Sequence, residues 1–118
     1  MKSLTAEWVS KATEDYSVAA GLARRKILPA NSICFHCHQC AEKLLKALLQ
    51  EAGIPFGKTH DLEVLMRQAC VPWPAVTSLH ADFVLLNDYA VATGILVSTP
   101  LHGSPGMPSR LCAGSAVS

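Results

Sequence analysis

The chain has 118 residues, half of them hydrophobic, with ten Lys and Arg against nine Asp and Glu for a formal net charge of +1. That length and apolar content suit one domain with one core that needs no disulfide or metal support. The scattered basic residues lack the electrostatic footprint of a duplex-binding protein.

A first helix is predicted from about Thr5 to Arg24, because Trp8, Ala12, Tyr16, Ala19 and Ala23 recur at helical spacing, with Thr5 as its cap. Asp15 falls on its apolar side, and a buried carboxylate there requires a partner. Ile27 to Asn31 break this helix and are expected to cap the next, with Asn31 directly before it. The second helix, Ser32 to Ala52, is the clearest element, ending at Gly53 in the position of a left-handed cap. Ile33, Cys37, Cys40, Ala41, Leu44 and Leu48 form its apolar arc. His36, Gln39, Lys43, Lys46 and Gln50 form a polar stripe on the other side, where the lysines read most simply as solvated. Phe35 points away from the apolar arc and is expected to face a partner chain.

Thr59, His60 and Asp61 form a capping cluster before a short helix from Leu62 to about Cys70. Val71 to Pro74 reads as a turn. A fourth helix begins at Pro74, with Leu79, Phe83, Leu86 and Ala90 as its apolar stripe, and fades near Thr93. Residues 94–118 change character, being rich in Gly, Pro and Ser with no periodic face, and an irregular or disordered tail is expected there. The reading is therefore an all-α, antiparallel up-and-down four-helix bundle over residues 1–93 with a tail at 94–118. MKSLTAEW places Glu7 and Trp8 where an export signal carries its apolar run, and no stretch approaches the roughly 18 apolar residues of a membrane span. A cytoplasmic protein with no membrane partner is expected.

Five cysteines is an odd number, and Cys34, Cys37 and Cys40 crowd one helix, which suits reduced thiols. Cys34, Cys37 and His38 satisfy the C-x-x-C-H pattern of haem attachment, but that pattern lies inside a regular helix whose periodicity already assigns Cys37 to the core. A zinc site would draw on Cys34, Cys37 and His38 with His60 or Cys70, yet the last two lack paired partners at ligand spacing. A cysteine on an apolar helix face is a poor nucleophile, and no glycine-rich phosphate loop is present. No metal, cofactor or catalytic group is assigned. The polar groups set beside packing faces are Asp15, Glu42, Lys43, Lys46 and His60, for which the plainest roles are a structural ion pair within the bundle and helix capping.

Taken together, Trp8, Lys11, Ala12 and Asp15 to Ala19, then Ile33 to His36 with Gln39 to Lys43, Leu45 and Lys46, then Thr59 to Leu62 and Leu65, resemble the HEPN domain family over about residues 5 to 93. The resemblance implies a bundle of antiparallel helices, frequently a homodimer, often encoded beside a minimal nucleotidyltransferase in a toxin–antitoxin pair. Active branches of that family are metal-independent ribonucleases using an arginine and a histidine at a short characteristic interval. Arg24, Arg25, Arg67 and Arg110 are each followed by no histidine at that interval. After Asn87 to Ala90 the family continues into an arginine, tyrosine and proline turn and a further helix, where this chain has Gly94, Ile95 and Leu96. An altered reading frame is expected to have cost the bundle that C-terminal helix, exposing apolar surface. The resemblance thus implies a non-catalytic module that binds a nucleotide, RNA or a nucleotidyltransferase partner through Asp15, His36, Glu42, Lys43, Lys46 and His60, with Lys43 and Lys46 as phosphate contacts. The alternatives are a ribonuclease toxin and a purely structural dimerising bundle.

Overall fold

The computed structural model describes residues 1–92. Every regular element among them is helical: α1 (Ser3–Leu22), α2 (Ala30–Ala52), α3 (Leu62–Ala69), a 3-10 turn at Pro74–Leu79, and α4 (His80–Ala92). No described helix is long and apolar enough to cross a membrane. The expectations for the tail and the missing C-terminal helix fall outside the described residues.

α2 is the axis of the bundle. Ile33, Cys37, Ala41, Leu45 and Leu49 run along it and are packed with Ala19 of α1, with Leu62, Leu65, Met66 and Ala69 of α3, with Val76, and with Phe83 and Leu86 of α4. Fully burying a Leu or Ile in this way contributes about 1.5–3 kcal/mol per side chain. The expected arc was misplaced by one position in its second half: Leu45 and Leu49 are buried, while Leu44 and Leu48 are only half-buried. α2 is covered by α1 on one side and by α3 and α4 on another, so its buried residues span far more than a single stripe. Cys34, His38, Cys40, Glu42, Lys46 and Ala47 are buried as well.

The helix ends correct several expectations. Thr5 does not cap α1, but lies inside it and is buried. The start of α1 is held instead from α2, since the Lys2 backbone N–H donates to Glu51 Oε1 at 2.9 Å and Lys2 Nζ to the Gln50 carbonyl at 3.3 Å. These bonds fix α1 and α2 as an antiparallel pair. Asn31 likewise lies within α2, which begins at Ala30 without a side-chain cap because Pro29 offers its carbonyl to Ile33 N–H. At the far end Gly53 has a φ of 72°, and its N–H and that of Ile54 close on the carbonyls of Gln50 and Leu49. This is the left-handed terminus that favours glycine. Asp61 caps α3 as expected, with Oδ1 accepting from Glu63 N–H at 2.9 Å. The expected fourth helix is divided: Thr77 and Ser78 hydroxyls donate to the carbonyls three residues earlier, at 2.8 Å each. Such bonds compete with the α-helical ladder, and the Pro74 segment settles as a 3-10 turn before α4.

Candidate functional site

All six candidate residues, Asp15, His36, Glu42, Lys43, Lys46 and His60, come together in two adjoining groups along α2. Asp15 rises from α1 and is buried among its partners: its Oδ1 lies 2.8 Å from His36 Nδ1, and its Oδ2 accepts from Lys43 Nζ. The partner required by a carboxylate on an apolar face is thus a lysine and a histidine, both supplied by α2. Glu42, next to Lys43 in the chain, anchors the second group. It accepts from Lys46 Nζ at 2.9 Å through Oε2, and its Oε1 is 2.9 Å from His60 Nδ1, on the segment before α3.

The expectation of solvated lysines on the polar stripe is corrected for Lys46. Lys46 is only 6 % exposed and Glu42 only 4 %, so Lys46 is not a solvated surface lysine. Its ammonium is bonded to Glu42 and lies 5.6 Å from the centroid of the Trp8 ring, a cation–π distance. The stripe faces α1 and the α2–α3 connection, because Trp8 of α1 extends across it and meets Phe56 edge-on. Lys43 keeps partial exposure and His60 is half-exposed, so these, with His36 and the exposed Lys11 over Trp8, are the groups that reach solvent.

Behind Glu42 lies a buried layer that sequence reasoning did not assemble. Asn87 of α4 accepts Leu62 N–H at 3.0 Å through Oδ1 and donates from Nδ2 to Asp61 Oδ1 at 2.9 Å. Its carboxamide orientation is therefore fixed. His38 Nε2 is 3.4 Å from the same Oδ1 and donates to it in the Nε2–H tautomer. Nδ1 is then a buried acceptor with no hydrogen-bond partner, 3.8 Å from Glu42 Oε1. Burial pushes the pKa of His38 below the usual histidine range, against the opposing pull of the Glu42 charge and the Asn87 bond. A polar Asn87 among the apolar stripe of Phe83, Leu86 and Ala90 was the one available signal for this layer.

The cysteine cluster is packing. Cys34, Cys37 and Cys40 are buried, and burial raises the Cys34 thiol to about 12. Among the described residues no group of three or more His, Cys, Asp or Glu is arranged to hold a metal ion. Surface hollows of about 290 and 310 Å³ are lined by none of the six candidate residues; the first is an open, mainly apolar one between Val9 of α1 and Leu44 and Leu48 of α2, with Trp73 on its wall. The Trp73 indole N–H donates to the Leu48 carbonyl at 3.2 Å.

Fold and polar row together define a small helical domain whose first two helices share buried carboxylates, each bonded to a lysine and a histidine. The family model for the HEPN domain matches residues 5–92, and the chain belongs to that family. No curated protein and no solved structure shows a significant match.

Proposed function

We propose that this HEPN domain is a non-catalytic module that binds a nucleotide on the α1–α2 face. The supporting observation is the paired row: Lys43 and His36 share Asp15, Lys46 and His60 share Glu42, and Lys11 and Lys46 both approach the Trp8 ring. Asp15 and Glu42 orient the cationic side chains before a ligand arrives, which lowers the ordering cost of binding. Lys43, with His36 beside it on the same carboxylate, serves as the phosphate contact at the surface. Lys46 acts from below, holding Glu42 and through it His60. The absence of an arginine–histidine pair at the family interval favours binding over RNA cleavage. Pairing with a second copy, and with a nucleotidyltransferase that carries or delivers the nucleotide, belongs to the same proposal, as does a cytoplasmic location.

Thermal unfolding of the purified chain with and without ATP tests it. A ligand specific for the folded state raises the apparent melting temperature, and the increment should vanish in Lys43→Ala and survive in Lys58→Ala, a lysine of the exposed α2–α3 connection. No increment with ATP, GTP or their monophosphates in the unmodified chain would overturn the proposal in favour of a structural bundle. RNA cleavage by the purified chain would overturn its non-catalytic part.

A further inference from the structure

The loop joining α1 to α2 differs in character from the rest of the surface. From Tyr16 to Ala41 the chain contains no Asp or Glu, and its only charges are the consecutive Arg24, Arg25 and Lys26. All three are exposed, and among the described residues none makes an ion pair. Arg24 Nε only closes back on the Ala20 carbonyl at the end of its own helix, at 3.3 Å. By contrast Lys43, Lys46 and Arg67 each have a carboxylate. Directly after the three cations stand Ile27, 87 % exposed, and Leu28, 42 % exposed, while Val18 and Phe35, near the same end of the two helices, are also open to solvent. A run of unpaired cations is ordinary on a solvated surface, as is a single exposed aliphatic side chain; this loop joins the two, with Ile27 and Leu28 directly after the three cations.

We propose that the Ala23–Pro29 loop is a peripheral contact for an anionic phospholipid surface, with Arg24, Arg25 and Lys26 at the headgroups and Ile27 and Leu28 entering the acyl boundary. The loop sits at the end of the α1–α2 hairpin, so it can touch a plane without moving a helix. Basic side chains next to apolar ones are what such a boundary selects, since the charges gain from the negative surface potential while the aliphatic groups leave water. A nucleic acid would use the cations and leave Ile27 exposed. An acidic protein would have to supply both carboxylates and a socket for two aliphatic side chains. The contact is reversible and independent of the nucleotide proposal, because neither Asp15 nor Glu42 takes part. It replaces the expectation of no membrane partner with a peripheral contact that requires no membrane-crossing helix.

The test is co-sedimentation of the full chain with phosphatidylcholine vesicles containing roughly 30 % phosphatidylserine, against pure phosphatidylcholine, at low and raised salt. The chain should sediment with the anionic vesicles only, and less so as salt rises. Neutralising Arg25 and Lys26 together, Arg25→Gln with Lys26→Gln, should weaken binding about 25-fold, from about fivefold per cation. Ile27→Ser should weaken it about tenfold, with Lys58→Gln unchanged. All substituted side chains are exposed, so circular dichroism should show unaltered folding. Failure of the unmodified chain to sediment with anionic vesicles overturns the proposal. So does an Ile27→Ser variant that binds as well as the original, which would mark simple charge adsorption. Retardation of an RNA duplex without vesicle binding would assign the cations to nucleic acid and likewise overturn it.

Discussion

Replacing Glu42 with glutamine removes one negative charge from the most enclosed part of the polar row. In the folded chain Glu42 holds Lys46 Nζ and His60 Nδ1 on its two oxygens, both at 2.9 Å. The carboxamide of Glu42→Gln would keep one accepting oxygen and turn an NH₂ group toward the other partner, so the buried Lys46 ammonium is left with the Trp8 ring and no carboxylate. Breaking a buried ion pair from one side costs about 3–5 kcal/mol. Glu42→Gln should fall at the low end, about 3 kcal/mol, because one accepted bond survives. For a domain of this size that is a fall in melting temperature of about 12–24 °C. Urea unfolding followed by circular dichroism at neutral pH measures it. A second variant separates lost attraction from stranded charge: Glu42→Gln combined with Lys46→Met removes the orphaned ammonium and should return to within about 1 kcal/mol of the original chain. A single variant within about 1 kcal/mol of the original, or a double variant no better than the single one, would refute the account, since Lys46 would then escape to water unaided.

Three further outcomes are expected. The pKa of His38 is lowered in the folded state, so the unfolded chain takes up the proton first as acid is added; stability should fall as pH drops below about 6.5, the unfolded value. Urea midpoints from neutral pH to about pH 5 should therefore decline less in His38→Gln than in the original chain, with Glu42 and His60, the groups facing His38, unchanged; equal declines would remove His38 as the cause. In native-state labelling by iodoacetamide at mildly alkaline pH, peptide mass spectrometry should find Cys70 modified well before Cys34, whose burial holds its thiol near 12. Asp61→Ala should cost about 2 kcal/mol in urea unfolding, because it removes a helix cap worth ~1 kcal/mol and strands the Asn87 amide.

The helices themselves were legible because α2 carries its period openly and ends in a glycine with nothing else to offer. The need of Asp15 for a partner was legible too, since a carboxylate on an apolar helix face is conspicuous. The arrangement of the six candidate residues was not. Helical periodicity assigns one buried face to each helix, but α2 is enclosed from several directions, so Lys46 was placed by a rule that fails for a central helix. The starts of α1 and α2 were misjudged for a related reason: Thr5 and Asn31 look like caps, yet those ends are fixed by Lys2 reaching Glu51 and by the Pro29 carbonyl. Such bonds depend on partners distant in sequence or on main chain without a side-chain signature. Asn87 illustrates the same limit, because a single amide within an apolar helix signals a buried bond without saying to what.

That amide sets how the molecule comes apart. With eight residues α3 is too short to persist alone, and its first N–H, its cap and the ring of His38 all terminate on one side chain of α4. α1 and α2, by contrast, are tied to each other at Lys2 and again at Asp15 without help from either. α3 and α4 are accordingly expected to seat on or leave the α1–α2 hairpin as one piece. Hydrogen exchange at the Leu62 amide should therefore report on the docking of α4, a helix to which Leu62 does not belong.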